Sequence, residues 1–218
     1  MINQSVFSSN SQLFQNRLQH LKLEVNSSSY FHQSWRLFWD NSGLFIPYTI
    51  LLLIVCAGIS FIPVIGQIIV GVMYPLLAAG YFVVTLKLIR GDKAEMSDFF
   101  KALSQWYPLS INGLLGGIMT AVGFLCLIIP GIYLYFAYLF SVQLIVDENL
   151  TGWESLEASR KVLTKIFFPF SLFTLLTYFV VVLGVLALGI GLVVTFPLYF
   201  IMHAFAYEDI RKQIQSQI

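Results

Sequence analysis

The sequence predicts an all-α membrane protein whose six transmembrane helices pair as three hairpins. Three observations carry that prediction: three long stretches hold no charged residue, the basic residues are confined to one set of segments, and the tryptophans sit at the edges of those segments. Composition points the same way. Hydrophobic residues make up 58% and charged residues 11% of the 218-residue chain, against roughly 45–50% and about 25% in soluble domains. A water-soluble fold of this size needs more polar side chains than that to cover its surface.

The charge-free stretches run from Asn41 to Leu86, Ala102 to Val146 and Ile166 to Tyr207. A helix needs about 20 apolar residues to cross a hydrocarbon core of about 30 Å, so each stretch accommodates two crossings and a tight turn. Pro63 and Gly66 punctuate the first, Pro130 and Gly131 the second, and Gly184, Gly189 and Gly191 the third. The predicted helices are 44–62, 65–86, 108–129, 131–147, 167–187 and 190–208. They form a membrane domain over 44–208, between a polar N-terminal segment 1–43 and a short tail 209–218.

Every Lys and Arg lies in the N-terminal segment, in Lys87–Lys101, in Arg160–Lys165, or at Arg211 and Lys212. Hairpins place all four segments on one side, and the positive-inside rule assigns that side, with both termini, to the cytoplasm. Trp35, Trp39, Trp106 and Trp153 all lie beside these segments, where an indole ring anchors at headgroup level. Short interfacial amphipathic helices are expected to carry them. Phe31, Trp35, Phe38 and Trp39 recur at helical spacing, as do Phe99, Leu103, Trp106 and Tyr107, and Thr151 with Glu154 fits a capping box that starts a third helix. A further pattern, Phe14, Leu18, Leu21 and Val25, reads as one more surface helix, with a cytosolic coiled-coil contact as its alternative.

The chain also repeats at 61 residues. Pro47, Pro108 and Pro169 share one column, and Pro75, Phe136 and Pro197 a second. Beside them run Thr49, Ser110 and Ser171, then Tyr74, Tyr135 and Phe196, while Gly91 aligns with Gly152. The implied unit is an interfacial helix followed by a hairpin, used three times around a pseudo-threefold axis. The first-column prolines are expected in the first turn of their helices, where no amide is needed. Pro75 and Pro197 are expected inside helices, as kinks.

The run Ile129-Pro130-Gly131-Ile132-Tyr133, then Val146-Asp147-Glu148-Asn149, then Gly152-Trp153-Glu154-Ser155-Leu156-Glu157-Ala158-Ser159 resembles a broad group of bacterial multi-pass proteins, the YciC-like inner-membrane family. It is similar as well to the membrane region of some glycerophosphodiester phosphodiesterases. The resemblance is clearest over 120–165 and extends over 44–208. It implies an inner-membrane architecture and no particular activity. Where many members carry a basic residue in the fourth helix, this chain has Phe136-Ala137-Tyr138.

Candidate chemistry is sparse. His203 is the ionisable residue within a predicted crossing, and buried ionisable groups in membranes commonly serve function. Its plainer reading is a neutral ring with a hydrogen bond. Gln143 and Asn112 complete a candidate intramembrane polar site, against the simpler role of interhelical glue. Gly113 and Gly117 form a GxxxG pair for close helix contact, within the chain or between copies. Asp147, Glu148, Glu154 and Glu157 form an acidic cluster that reads as solvated helix pairing with Arg160, Lys161 and Lys165. Cys56 and Cys126 read as buried free thiols. His20 and His32 lie in the polar segment, and no metal, phosphate-loop or nucleophile motif occurs, so neither cofactor nor metal is implied.

Three functions are open. A non-enzymatic protein that organises or maintains the membrane is favoured by the interfacial aromatics. A small transporter or channel for a lipid or apolar solute is favoured by the repeat and the kinking prolines; a polar cavity lined by Gln143, Asn112 or His203 distinguishes it. A lipid-headgroup enzyme requires Asp98, Glu154 and His203 in one pocket. The implied partner is the bilayer, with a second copy of the chain or another membrane protein as a candidate. A net charge of +1 gives no reason to expect nucleic acid.

Overall fold

The structure, a computed structural model, describes residues 22–62, 65–187, 189 and 191–217, with backbone alone for 65–72. Phe14, Leu18, Leu21 and His20 lie outside the described residues, as does Pro63 of the first turn. Among the described residues all regular structure is helical.

The chain begins with α1 (Ser27–Asp40), capped by Asn26, whose side chain accepts from Ser29 N. The first hairpin is α2 (Ser42–Ser60) and α3 (Ile65–Ile89). A 3-10 helix (Met96–Gln105) leads directly into α4 (Trp106–Cys126). Leu127, in extended conformation, turns the chain into α5 (Ile128–Ala137), which continues after a break as α6 (Ser141–Glu148). α7 (Gly152–Lys165) precedes the third hairpin, α8 (Phe167–Leu186) and α9 (Leu192–Ser216). Four segments are long and apolar enough to cross a membrane: Ser42–Ser60, Met96–Cys126, Ile128–Glu148 and Phe167–Leu186.

The capping box of α7 forms as expected, with Thr151 Oγ1 accepting from Glu154 N and Glu154 accepting from Thr151 N. Three other expectations need correction. The fourth helix is not continuous, because residues 138–140 form a turn between α5 and α6. The turn persists because side chains replace the lost ladder bonds. Ser159 Oγ, from α7, accepts from Phe140 N (3.1 Å) and donates to Ala137 O (2.7 Å). Pro108 and Pro169 do occupy first turns, but Pro47 is inside α2, which starts a turn earlier, at Ser42. The interfacial segment at Phe99 is 3-10 rather than α-helical. Beyond Glu208, α9 runs on to Ser216 and buries Ile210 and Ile214. Its end is held by Gln213 and Gln217, which bond the backbone of Glu24 and Lys22.

The long apolar helices pack in sequence order, α2 on α3, then α4, α5, α8 and α9, and α9 returns to α2. The ring therefore closes. Each surface helix lies on the second helix of a hairpin, α1 on α9, the 3-10 helix on α3 and α7 on the α5–α6 unit, and α7 packs as well on α4, the first helix of its hairpin. Burial is concentrated near the charged end. Phe45, Tyr81, Phe99, Phe170, Phe173 and Phe200 are buried there, and Tyr81 stacks on Phe200 with ring centroids 4.7 Å apart. Toward the other end Phe61, Leu125, Ile129 and Leu186 stand exposed, an outward apolar face suited to acyl chains.

Glycine sets the helix spacing near the hairpin turns. A Cβ on Gly123 would meet Gly131 Cα at 3.0 Å, and one on Gly191 would meet Gly184 O at 2.7 Å. Without side chains at these crossings the backbones approach closely, which gains dispersion contacts in a solvent that offers no hydrophobic drive.

Candidate functional site

A cavity of about 500 Å³ opens among α3, α4, the α5–α6 unit and α9. Its polar lining comes from Asn112, Thr120, Ser141, His203, Tyr74, Tyr135, Tyr138 and Tyr199. Two of the three predicted site residues therefore meet there. Among the described residues no Asp, Glu, Lys or Arg lines it.

Asn112 ties three elements together. Its Nδ2 donates to Ser155 Oγ of α7 at 2.9 Å, and its Oδ1 lies 3.2 Å from Ser141 Oγ of α6. The neighbouring α7 terminus can approach because it starts with Gly152, where a Cβ would collide with Asn112 N at 2.9 Å. His203 is 1% exposed and packs its ring against Tyr199 and Phe173. His203 Nδ1 lies 2.9 Å from Tyr199 O. A carbonyl only accepts, so Nδ1 carries the proton and Nε2 is the acceptor. Its nearest hydroxyl, Thr174 Oγ1, is 3.5 Å away and donates to Phe170 O at 2.9 Å. Nε2 is thus a buried acceptor with little to accept from the protein.

Gln143 does not line the cavity. With its amide turned to match its surroundings, it donates to Leu139 O (2.9 Å) and Phe140 O (3.3 Å). Its role is to satisfy the carbonyls of the α5–α6 break. The GxxxG pair divides in the same way. Gly113 makes a contact within the chain, since its Cβ would sit 2.7 Å from Pro75 Cγ, while Gly117 faces open space. Pro75 and Pro197 both lie inside helices, and Pro75 lines the cavity.

The tyrosines are residues that sequence reasoning missed as a site. Tyr135, Tyr178 and Tyr199 form a hydroxyl chain across α5, α8 and α9, with 3.3 Å between the last two. Tyr74 and Tyr135 share a column of the 61-residue repeat, which is the one signal that could have singled them out.

At the charged end lies a second feature absent from the sequence reading. Asp147 and Glu148 are not solvated: their side chains are 6% and 9% exposed. Arg90 bonds Asp147 through two nitrogens, at 2.6 and 3.0 Å, and reaches Glu208 at 2.7 Å. Asp147, foremost, and Glu208 hold the guanidinium proton more firmly than usual. Arg211 Nε lies 3.1 Å from both Asp147 and Glu148. These contacts lock the ends of α3, α6 and α9 together. Glu157 alone pairs as expected, with Arg160 and Lys161, and the Arg160 guanidinium holds its carboxyl below the usual range.

Trp35 and Trp39 extend an outward aromatic stripe from Phe31 on α1, and Trp106 and Trp153 are likewise exposed. Cys56 and Cys126 are free, and Cys126 is exposed rather than buried. Asp98, Glu154 and His203 do not gather. Asp98 pairs with Lys87 and Lys101, Glu154 caps α7, and His203 lines the cavity. Among the described residues no group of His, Cys, Asp and Glu could hold a metal ion. Comparison with protein-family models, with curated proteins and with solved structures finds no match for the chain.

Proposed function

We propose that the chain crosses the bilayer six times, with its charged ends in the cytoplasm, and carries or shelters an uncharged, lipid-like molecule in the cavity between α3, α4, α5–α6 and α9. The cavity is the observation that carries this reading. Its volume falls within the roughly 300–1,000 Å³ typical of small-molecule sites, and its lining is apolar with a few convergent neutral polar groups. A protein that served only to stiffen or organise the bilayer would gain from filling such a space, since each lost contact weakens packing.

Six crossings rest on α3 and α9, which are 25 residues each. That is about 37 Å of helix, enough to cross with part of each end outside. The charged last turns of α9 lie beyond its apolar part. The 61-residue repeat is supported by the way each surface helix touches a hairpin's second helix, although α7 packs on the first helix as well. A second reading, membrane organisation, is favoured by the exposed stripe of Phe31, Trp35 and Trp39.

The test is solute movement. In vesicles containing the purified protein, transfer of a fluorescent, uncharged single-chain lipid between leaflets should accelerate over protein-free vesicles. Filling the cavity by Gly117→Phe should remove the acceleration. A rate equal to that of empty vesicles, together with no retained apolar probe, would leave membrane organisation as the better account.

A further inference from the structure

We infer that the cavity selects a single-chain lipid with an uncharged oxygen head, such as a long-chain alcohol, and rejects both bare hydrocarbons and charged lipids. The inference rests on the reading of the cavity as an apolar-solute site and adds what the site recognises.

Charge is excluded by the lining. With no Asp, Glu, Lys or Arg facing the space among the described residues, an ionised head would leave water without a counter-charge, which is strongly unfavourable. A bare hydrocarbon is disfavoured for the opposite reason. His203 Nε2 is a buried acceptor whose closest hydroxyl is 3.5 Å away and donates elsewhere. A ligand hydroxyl can donate to it. The phenol of Tyr199, one turn from His203, lines the same space and can donate to a ligand oxygen.

The polar groups also give the ligand a direction. His203 is five residues before Glu208 along α9, so its Cα lies about 8 Å inside the charged end. Asn112 is six residues into α4, about 9 Å from that end. The head would therefore lie toward the charged end. The chain would extend past Phe124 and Tyr135, which also line the cavity. Beneath the head, the Arg90–Asp147–Glu208 contacts join α3, α6 and α9, so access is from the bilayer rather than from the cytoplasm.

The experiment uses the full chain in nanodiscs, photolabelled with oleyl alcohol that carries a diazirine in its chain, with labelled residues identified by mass spectrometry. Competitors share the chain and differ in the head: oleyl alcohol, octadecene, oleyl sulfate and oleyltrimethylammonium. Label is expected on cavity residues. Oleyl alcohol should compete roughly tenfold better than octadecene, the value of one to two hydrogen bonds, and neither charged lipid should compete. Gly117→Phe should abolish the label, with Ala121→Phe as the alternative cavity-filling variant if the first does not fold. Octadecene competing as well as the alcohol would overturn head recognition and leave cavity binding standing, and so would effective competition by either charged lipid. Absence of cavity label with every probe would overturn the cavity reading itself.

Discussion

Arg90, one residue past α3, and Asp147, in the last turn of α6, form a two-point ion pair of 2.6 and 3.0 Å across 57 residues of sequence. Glu208 of α9 binds the same guanidinium. Removing Arg90 would leave Asp147, 6% exposed, to Arg211 and Tyr207, and Glu208, 5% exposed, to Lys212 at 3.8 Å. Breaking a buried pair from one side costs about 3–5 kcal/mol; with those partners left in place and Arg90 34% exposed, the loss should be smaller, about 1–2 kcal/mol. Arg90→Ala should therefore lower the unfolding temperature in detergent by several degrees. The triple variant Arg90→Ala/Asp147→Asn/Glu208→Gln should recover much of that loss, because amides need no counter-charge. If the triple variant is no more stable than Arg90→Ala, stranded charge is not the cause.

Two glycines four residues apart should respond in opposite ways. Gly113→Ala places a methyl 2.7 Å from the Pro75 ring, whereas Gly117→Ala meets nothing within 4 Å. A proline ring cannot move aside as a flexible side chain would, so overpacking should destabilise Gly113→Ala by about 1–3 kcal/mol. Gly117→Ala should be neutral or slightly stabilising, by up to about 1 kcal/mol, through helix propensity. Thermal unfolding of the two variants side by side decides it. Equal losses would mean that Gly117 is packed against a second copy of the chain rather than facing the cavity.

Helices over the charge-free stretches were legible because charge is so costly in hydrocarbon that its gaps mark them out; their ends fall within a few residues of those expected except for α9, which runs on to Ser216. What escaped the sequence was what depends on distant partners. Asp147 and Glu148 read as solvated because Arg90 and Arg211 stand 57 and 63 residues away. The run Leu134-Tyr135-Phe136-Ala137-Tyr138-Leu139 reads as one unbroken helix, and it is Ser159 from α7, with Gln143, that makes its interruption tolerable. His203 and Asn112 stood out as polar residues in apolar surroundings. Tyr74, Tyr135 and Tyr199 did not, since tyrosine is commonplace near membrane interfaces.

Ser159 gives the break a direct test. Its hydroxyl serves Phe140 N and Ala137 O at once, and it is fully buried. Ser159→Ala leaves a donor and an acceptor unsatisfied away from water, at a cost of about 1–3 kcal/mol. The lost stability should appear locally as faster hydrogen exchange at residues 138–141, with exchange in α2 unchanged. Uniformly faster exchange across the chain, or none at all, would show that the turn does not depend on Ser159.

The topology can be read with a membrane-impermeant thiol reagent in intact cells. Cys56 and Cys126 are free and must first be replaced by alanine. Single cysteines are then placed at Pro130 and Gly189, near the hairpin turns, and at Lys93, in the charged segment between the first two hairpins. On the proposed six crossings the two turn positions lie on the face opposite Lys93. On the proposed orientation Lys93 is in the cytoplasm, where the positive-inside rule puts basic residues. Cysteines at 130 and 189 should be labelled from outside the membrane, and the one at 93 only after permeabilisation. Labelling at 130 or 189 that requires permeabilisation, with 93 reached from outside, would invert the orientation. Labelling of all three from the same side would reduce the number of crossings and dismantle the hairpins.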